Sequence, residues 1–139
     1  MTYSSITVNA PLDVAIFSPP VLSQTPLQQL LQHLFAARTD TSAVLWSYRG
    51  FRRAHPDVDT DEGIQVIGFQ MLKMGDHRTA VALLEANAAD HPRSPGAGFA
   101  LGRAYATAGE AAKARTAFER VLALDPGHKR AAEALVRLG

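Results

Sequence analysis

The chain has 139 residues, no cysteine, and fourteen basic against thirteen acidic side chains, a formal net charge of +1 at pH 7. Such a length suits one domain that buries roughly two thirds of its unfolded surface; the missing thiols exclude a disulfide framework and a thiolate metal site; and the balanced charge excludes a general electrostatic pull toward nucleic acid or anionic lipid. The start of the chain lacks the basic segment and long apolar core of a secretory signal, and no run reaches the roughly 18 to 20 apolar residues of a membrane span, so the expectation is a soluble, cytoplasmic protein.

Residues 1–24 place Ile6, Val8, Leu12, Val14 and Ile16 at even positions, the period of extended chain, but Pro11, Pro19 and Pro20 interrupt them. A lone hairpin is not stable in water, so this extended N-terminal arm is expected to lie against helices, to pair with a second subunit, or to stay mobile. From residue 25 onward a helical domain is expected, 25–139. Thr25-Pro26 opens a helix with Leu27, Leu30, Leu31, Leu34 and Phe35 on one stripe. Asp40 or Thr41 opens the next, with Val44, Leu45, Tyr48 and Phe51 on its apolar side, and His55-Pro56 closes it. These two form a degenerate first hairpin, 26–55.

A helix over 60–74 follows. Asp59 or Thr60 is its expected cap, Asp59 and Glu62 having the spacing of a capping box, and Gly75 suits the left-handed position that ends it. Asp76 is placed to cap a helix over 77–90, ended by His91-Pro92. Ser94-Pro95 starts a helix to about Ala108, Gly109 ends it, and a helix over 110–124 runs into Asp125-Pro126-Gly127. The last helix, 128–138, sets Ala131, Ala132, Leu135 and Leu138 against Lys129, Arg130, Glu133 and Arg137, the polar outer face of a C-terminal cap.

Within this series Gly68, Gly75, Ala80 and Pro92 recur 34 positions later as Gly102, Gly109, Ala114 and Pro126. A period of this length in helical sequence marks stacked hairpins that bury their apolar faces on one another. The fold class is therefore all-α: a short superhelix with repeats over 61–94 and 95–128. Small residues at the seams let helices approach closely, with Ala80 and Ala114 expected to face Gly68 and Gly102.

The repeats resemble the tetratricopeptide repeat family. Counting from Asp61, the pattern large, large, Gly, aromatic, Ala, aromatic, Pro is met by Ile64, Ile67, Gly68, Met71, Ala80, Leu84 and Pro92; counting from Pro95, by Leu101, Gly102, Tyr105, Ala114, Phe118 and Pro126, with Gly98 where the family has a bulky aromatic. The segment from YRGFRRAHP through LLEANAADHP, Asn87 included, is also similar to the C-terminal tetratricopeptide extension of some bacterial serine hydrolases of the beta-lactamase-like class. No catalytic domain accompanies it here, so this second likeness implies only an accessory role, and a bacterial source.

The family resemblance implies a concave groove lined by the first helix of each hairpin. Its positions carry over to Gln65, Phe69, Lys73, Phe99, Arg103, Thr107, Arg130 and Arg137, a mixture of aromatic and cationic groups suited to a peptide with acidic residues or a C-terminal carboxylate. Gln65 and Phe69 stand at two positions where chaperone-binding members carry a carboxylate clamp, so heat-shock chaperone tails are not the expected ligand. The competing reading makes the phenylalanines core contacts and the arginines a solvated face.

Catalytic signals are weak throughout the sequence, and an enzymatic role is the least favoured reading. The five histidines show no HExxH and no i, i+4 pairing, the serines form no G-x-S-x-G elbow, and there is no phosphate loop. The acidic cluster Asp57, Asp59, Asp61 and Glu62 is explained by helix capping, and Trp46, Tyr48, Arg49, Arg52 and Arg53 by a helix with one apolar and one arginine side. No metal, cofactor or nucleic acid is expected. The leading expectation is a noncatalytic interaction module that binds a protein or peptide; the rivals are a homodimer assembled through the N-terminal arm and an accessory subunit of a hydrolase.

Overall fold

The computed structural model describes residues 24–138, and the expected arm therefore lies outside the described residues but for its last position. Seven helices follow one another: α1 (Pro26–Ala36), α2 (Thr41–Ala54), α3 (Asp61–Lys73), α4 (His77–Asp90), α5 (Pro95–Thr107), α6 (Ala111–Leu124) and α7 (Lys129–Leu138). There is no strand among the described residues. Successive helices pair as α1/α2, α3/α4 and α5/α6, while α3 also packs on α1 and α5, α2 on α4, and α7 on α6. This is the expected superhelix of stacked hairpins, closed by a single C-terminal helix.

Local chemistry fixes the ends of these helices. Thr25 and Gln28 form a reciprocal capping box, each side chain bonding the other's backbone N–H. The Ser94 hydroxyl accepts from the Ala97 N–H at 3.1 Å, with Pro95 in the first turn. Gly75 and Gly109 have φ of 88° and 84°. Each ends its helix in the same motif: Asp76 N–H bonds the Met71 carbonyl and Gly75 N–H that of Leu72, as Glu110 and Gly109 bond Tyr105 and Ala106.

Two caps differ from expectation. Thr60 occupies the capping position of α3 without bonding it, because its hydroxyl is buried and accepts from Arg52 at 3.4 Å. Asp59 instead accepts from the Asp61 N–H two residues on. Asp76 likewise makes no cap bond; its carboxylate pairs with Arg38 at 3.2 Å and so ties the first hairpin to the second.

The core runs through the first five helices around Leu34, Val44, Tyr48, Ile64, Met71, Leu83 and Leu84, all fully buried, and continues in a smaller cluster of Ala114, Phe118, Val121 and Ala131. Each large side chain so buried stabilises the fold by about 1.5–3 kcal/mol. The hairpin seams are tight. A Cβ added to Gly68 meets the Leu84 side chain at 2.7 Å, and one added to Gly102 meets the Phe118 ring at 2.6 Å. The glycines thus face Leu84 and Phe118, one turn beyond the alanines expected to oppose them; Ala80 and Ala114 are themselves fully buried. In α7, Ala134 joins the packed side with Ala131, Leu135 and Leu138, and Ala132 turns outward.

Candidate concave groove

The first helices of the hairpins present one face away from α4 and α6. On α3, Gln65, Phe69 and Lys73 fall at i, i+4 and i+8; on α5, Phe99, Arg103 and Thr107 repeat that spacing. Two adjoining hollows result. The smaller, about 140 Å³, is bounded by Gln65, Phe69, Phe99, Arg103 and Arg130; the larger, about 420 Å³, by Phe99, Arg103, Thr107, Arg130 and Arg137. Since Phe99, Arg103 and Arg130 border both, the hollows form one continuous groove. Seven of the eight residues named from the sequence line it, and Lys73 stands beside them with its ammonium 5.6 Å from the Phe69 ring centroid.

The phenylalanines and arginines interlock. The Arg103 guanidinium carbon lies 4.6 Å from the Phe69 centroid and 5.9 Å from that of Phe99, while Arg130 stacks on Phe99 at 4.9 Å. Burial lowers the Arg103 pKa from its ordinary value, and the nearby Arg130 charge lowers it further. Phe69 remains 37% exposed. Phe99 has two roles, since its ring also meets Phe118 at 5.7 Å and His128 at 5.2 Å; the core reading and the groove reading both describe it.

Glu133 is a lining residue that sequence reading left on the polar face of the cap. Its signal was present, because Arg130, Glu133 and Arg137 share one face of α7 at i, i+3 and i+7. It is the one acid along a groove edge that otherwise carries Arg103, Arg130 and Arg137.

Below the groove a polar knot fixes the start of α3 to the next hairpin. The Asp61 carboxylate accepts from Gln65 Nε2 at 2.9 Å, Asn87 Nδ2 at 2.8 Å and the Ser94 hydroxyl at 2.6 Å. Burial alone raises the Asp61 carboxyl, but the bonds from Ser94, Gln65 and Asn87, with His91 nearby, outweigh it and hold the group below its ordinary pKa. Asn87 is fully buried, and its Oδ1 has no hydrogen-bond partner among the described residues. Gln65 is held by this knot at the groove floor.

Among the described residues no set of three His, Asp or Glu side chains is placed to hold a metal ion, and no helix is long and apolar enough to cross a membrane. Trp46 is 75% exposed on α2, and Arg52 of the same helix pairs with Asp90 at 3.6 Å.

Antiparallel hairpins layered so that alternate helices share a lined concave face define an αα-hairpin solenoid. Residues 71–138 match the tetratricopeptide repeat family. A solved structure of a MamA mutant is similar in fold, with a TM-score of 0.57 and 23% identity over 82% of this chain and 83% of that one. This coverage is wider than residues 71–138, so the likeness of fold takes in helices upstream of them. No curated protein matches the chain.

Proposed function

We propose that the chain is a noncatalytic protein-interaction scaffold whose concave groove receives a peptide segment through an acidic side chain or a free C-terminal carboxylate. The observation that carries this reading is the position of Arg103. Two aromatic faces hold it in place, burial weakens its hydration, and no carboxylate pairs with it among the described residues. A cation in that state gains from a carboxylate that brings two acceptor oxygens. Arg130 and Arg137 continue the positive edge toward α7, and Phe69 offers an exposed ring to an apolar residue of the same peptide.

Peptide arrays with free carboxyl ends, matched to amidated copies, test the reading. The expected result is preferential binding of acidic or free-carboxylate peptides, lost when Phe69, Arg103 and Arg137 are all changed to alanine while the melting temperature falls by no more than a few degrees. Binding indifferent to both the carboxylate and the triple substitution rejects the groove.

A further inference from the structure

The opposite face of α5 holds a second hollow, and it arises from a difference between the two repeats. Ile64 and Leu83, both fully buried in the first, become Gly98 and Ala117 at the same positions of the second. These truncations border a cleft of about 500 Å³ between α4 and α6, with α5 as its floor. Ala88, Leu101 and Leu124 form its accessible apolar wall, with Ala117 nearly and Val121 fully buried behind it. On the α5 side Val121 fills the space a Gly98 side chain would take, its Cγ2 lying 2.9 Å from an added Cβ, so the opening comes from the truncation at Ala117.

Size and charge narrow the occupant. From Ser94 to Tyr105 the floor runs about 16 Å at the helical rise, so length alone does not separate a helix from a small molecule. The volume falls in the range of small-ligand sites. At the rim, Glu85 accepts from the Tyr105 hydroxyl, Lys113 pairs with Glu110 at 3.1 Å, and His91 is engaged by the Asn87 carbonyl at 3.0 Å. Arg120 alone among these rim charges has neither an ion-pair nor a hydrogen-bond partner among the described residues. We propose that this cleft is a small-molecule site for an apolar monocarboxylate, an aliphatic or aryl-aliphatic acid whose body lies on Ala88, Leu101 and Leu124 and whose carboxylate meets Arg120. It is independent of the groove: the two share no lining residue.

Sodium octanoate is the probe and 1-octanol its uncharged counterpart, titrated into the full chain by NMR and calorimetry. Octanoate is expected to saturate one site and shift the Leu101 and Leu124 methyl signals, with octanol at least about tenfold weaker. Ala117→Leu, which restores the side chain of the first repeat, is expected to abolish binding without lowering the melting temperature; Ala88→Leu fills the cleft from α4 should that variant misfold. Arg120→Gln is expected to remove the preference for octanoate. Equal affinity for acid and alcohol overturns the ligand class, and undiminished binding in the filled variants overturns the site. A concentration-dependent dimer that Ala117→Leu dissociates also overturns it, by giving the cleft to a second copy of the chain.

Discussion

Arg103 on α5 lies over the ring of Phe69 on α3, 4.6 Å from guanidinium carbon to centroid, so neighbouring hairpins are joined across the groove by a contact that also sets the groove's charge. A flat, delocalised cation suits a place over an aromatic ring. Arg103→Lys keeps the charge and loses both the stack and the paired donors. The expected cost in stability is at most about 1 kcal/mol, the range of an exposed cation–π contact, while affinity for a carboxylate peptide falls by about tenfold, the loss of one charge-assisted hydrogen bond. Denaturation and peptide titration on the same variant measure the two effects separately.

The seams make a prediction about packing. At Gly102 an added methyl runs into the Phe118 ring at 2.6 Å, and that ring is itself held between α5 and α6 with Phe99 against it. Gly102→Ala should therefore cost about 1–3 kcal/mol by overpacking. Gly68→Ala meets the Leu84 side chain at 2.7 Å and should cost toward the lower end, because a leucine rotates out of the way more readily than a wedged ring. Urea unfolding of both variants, compared at equal slope, gives the order directly.

Gly75 and Gly109 offer a control with a different cause. Nothing lies within 4 Å of a Cβ added at either, so alanine there creates no clash. The cost comes from φ values near +85°, about 1 kcal/mol for a residue with a side chain. Because the two ends share one hydrogen-bond motif, Gly75→Ala and Gly109→Ala should destabilise equally in thermal unfolding, within error.

Much of the architecture could be read from residues. The 34-residue recurrence, the prolines at 92 and 126 and the left-handed glycines mark where hairpins begin and end, because each is a local constraint on φ or on a missing N–H. Fewer of the long-range relations were visible. Asp59 and Asp76 had the right spacing for caps, but a capping site competes with any cation brought close by folding, and Arg38 reached Asp76 from another hairpin. The groove side chains were placed by the family resemblance, which implies which positions of each first helix line a groove. The stacking of Arg103 and Arg130 on the phenylalanines was not, since it depends on the distance between α3, α5 and α7. The cleft at Gly98 was visible only as a missing aromatic, and its volume needed the positions of α4 and α6.

The first hairpin, whose register is degenerate, is secured by a specific bond. The fully buried Tyr48 ring of α2 sends its hydroxyl to Asp90 Oδ2 of α4 at 2.7 Å. Burial first, then the bond to Asp90 and its charge, raises the Tyr48 pKa far above that of a free phenol, so the group stays a donor at any physiological pH. Tyr48→Phe keeps the ring and removes one bond to a partly exposed carboxylate. A loss of about 1–2 kcal/mol is expected in chemical denaturation, and hydrogen exchange should quicken in α1 and α2 more than in α5 and α6, because the bond anchors the first hairpin to the second.

The Asp61 knot predicts how stability depends on pH. Its carboxyl titrates below the ordinary value of 3.8 in the folded chain, so in acid the unfolded chain takes up the proton first. The bonds from Ser94, Gln65 and Asn87 are then fully present above the unfolded pKa and are lost as pH falls through the lower folded one. Stability should be level with respect to this group from neutral pH to about 5 and fall steeply below about 4. Asp61→Asn cannot accept from three donors with the same charge assistance, and one of its two former acceptors becomes a donor facing the Ser94 hydroxyl. It should cost about 2 kcal/mol at pH 7 and flatten the acid limb, so that wild type and variant converge as pH drops. Unfolding free energies measured from pH 7 to pH 3 give the comparison, and parallel curves would show that another carboxylate controls the acid transition.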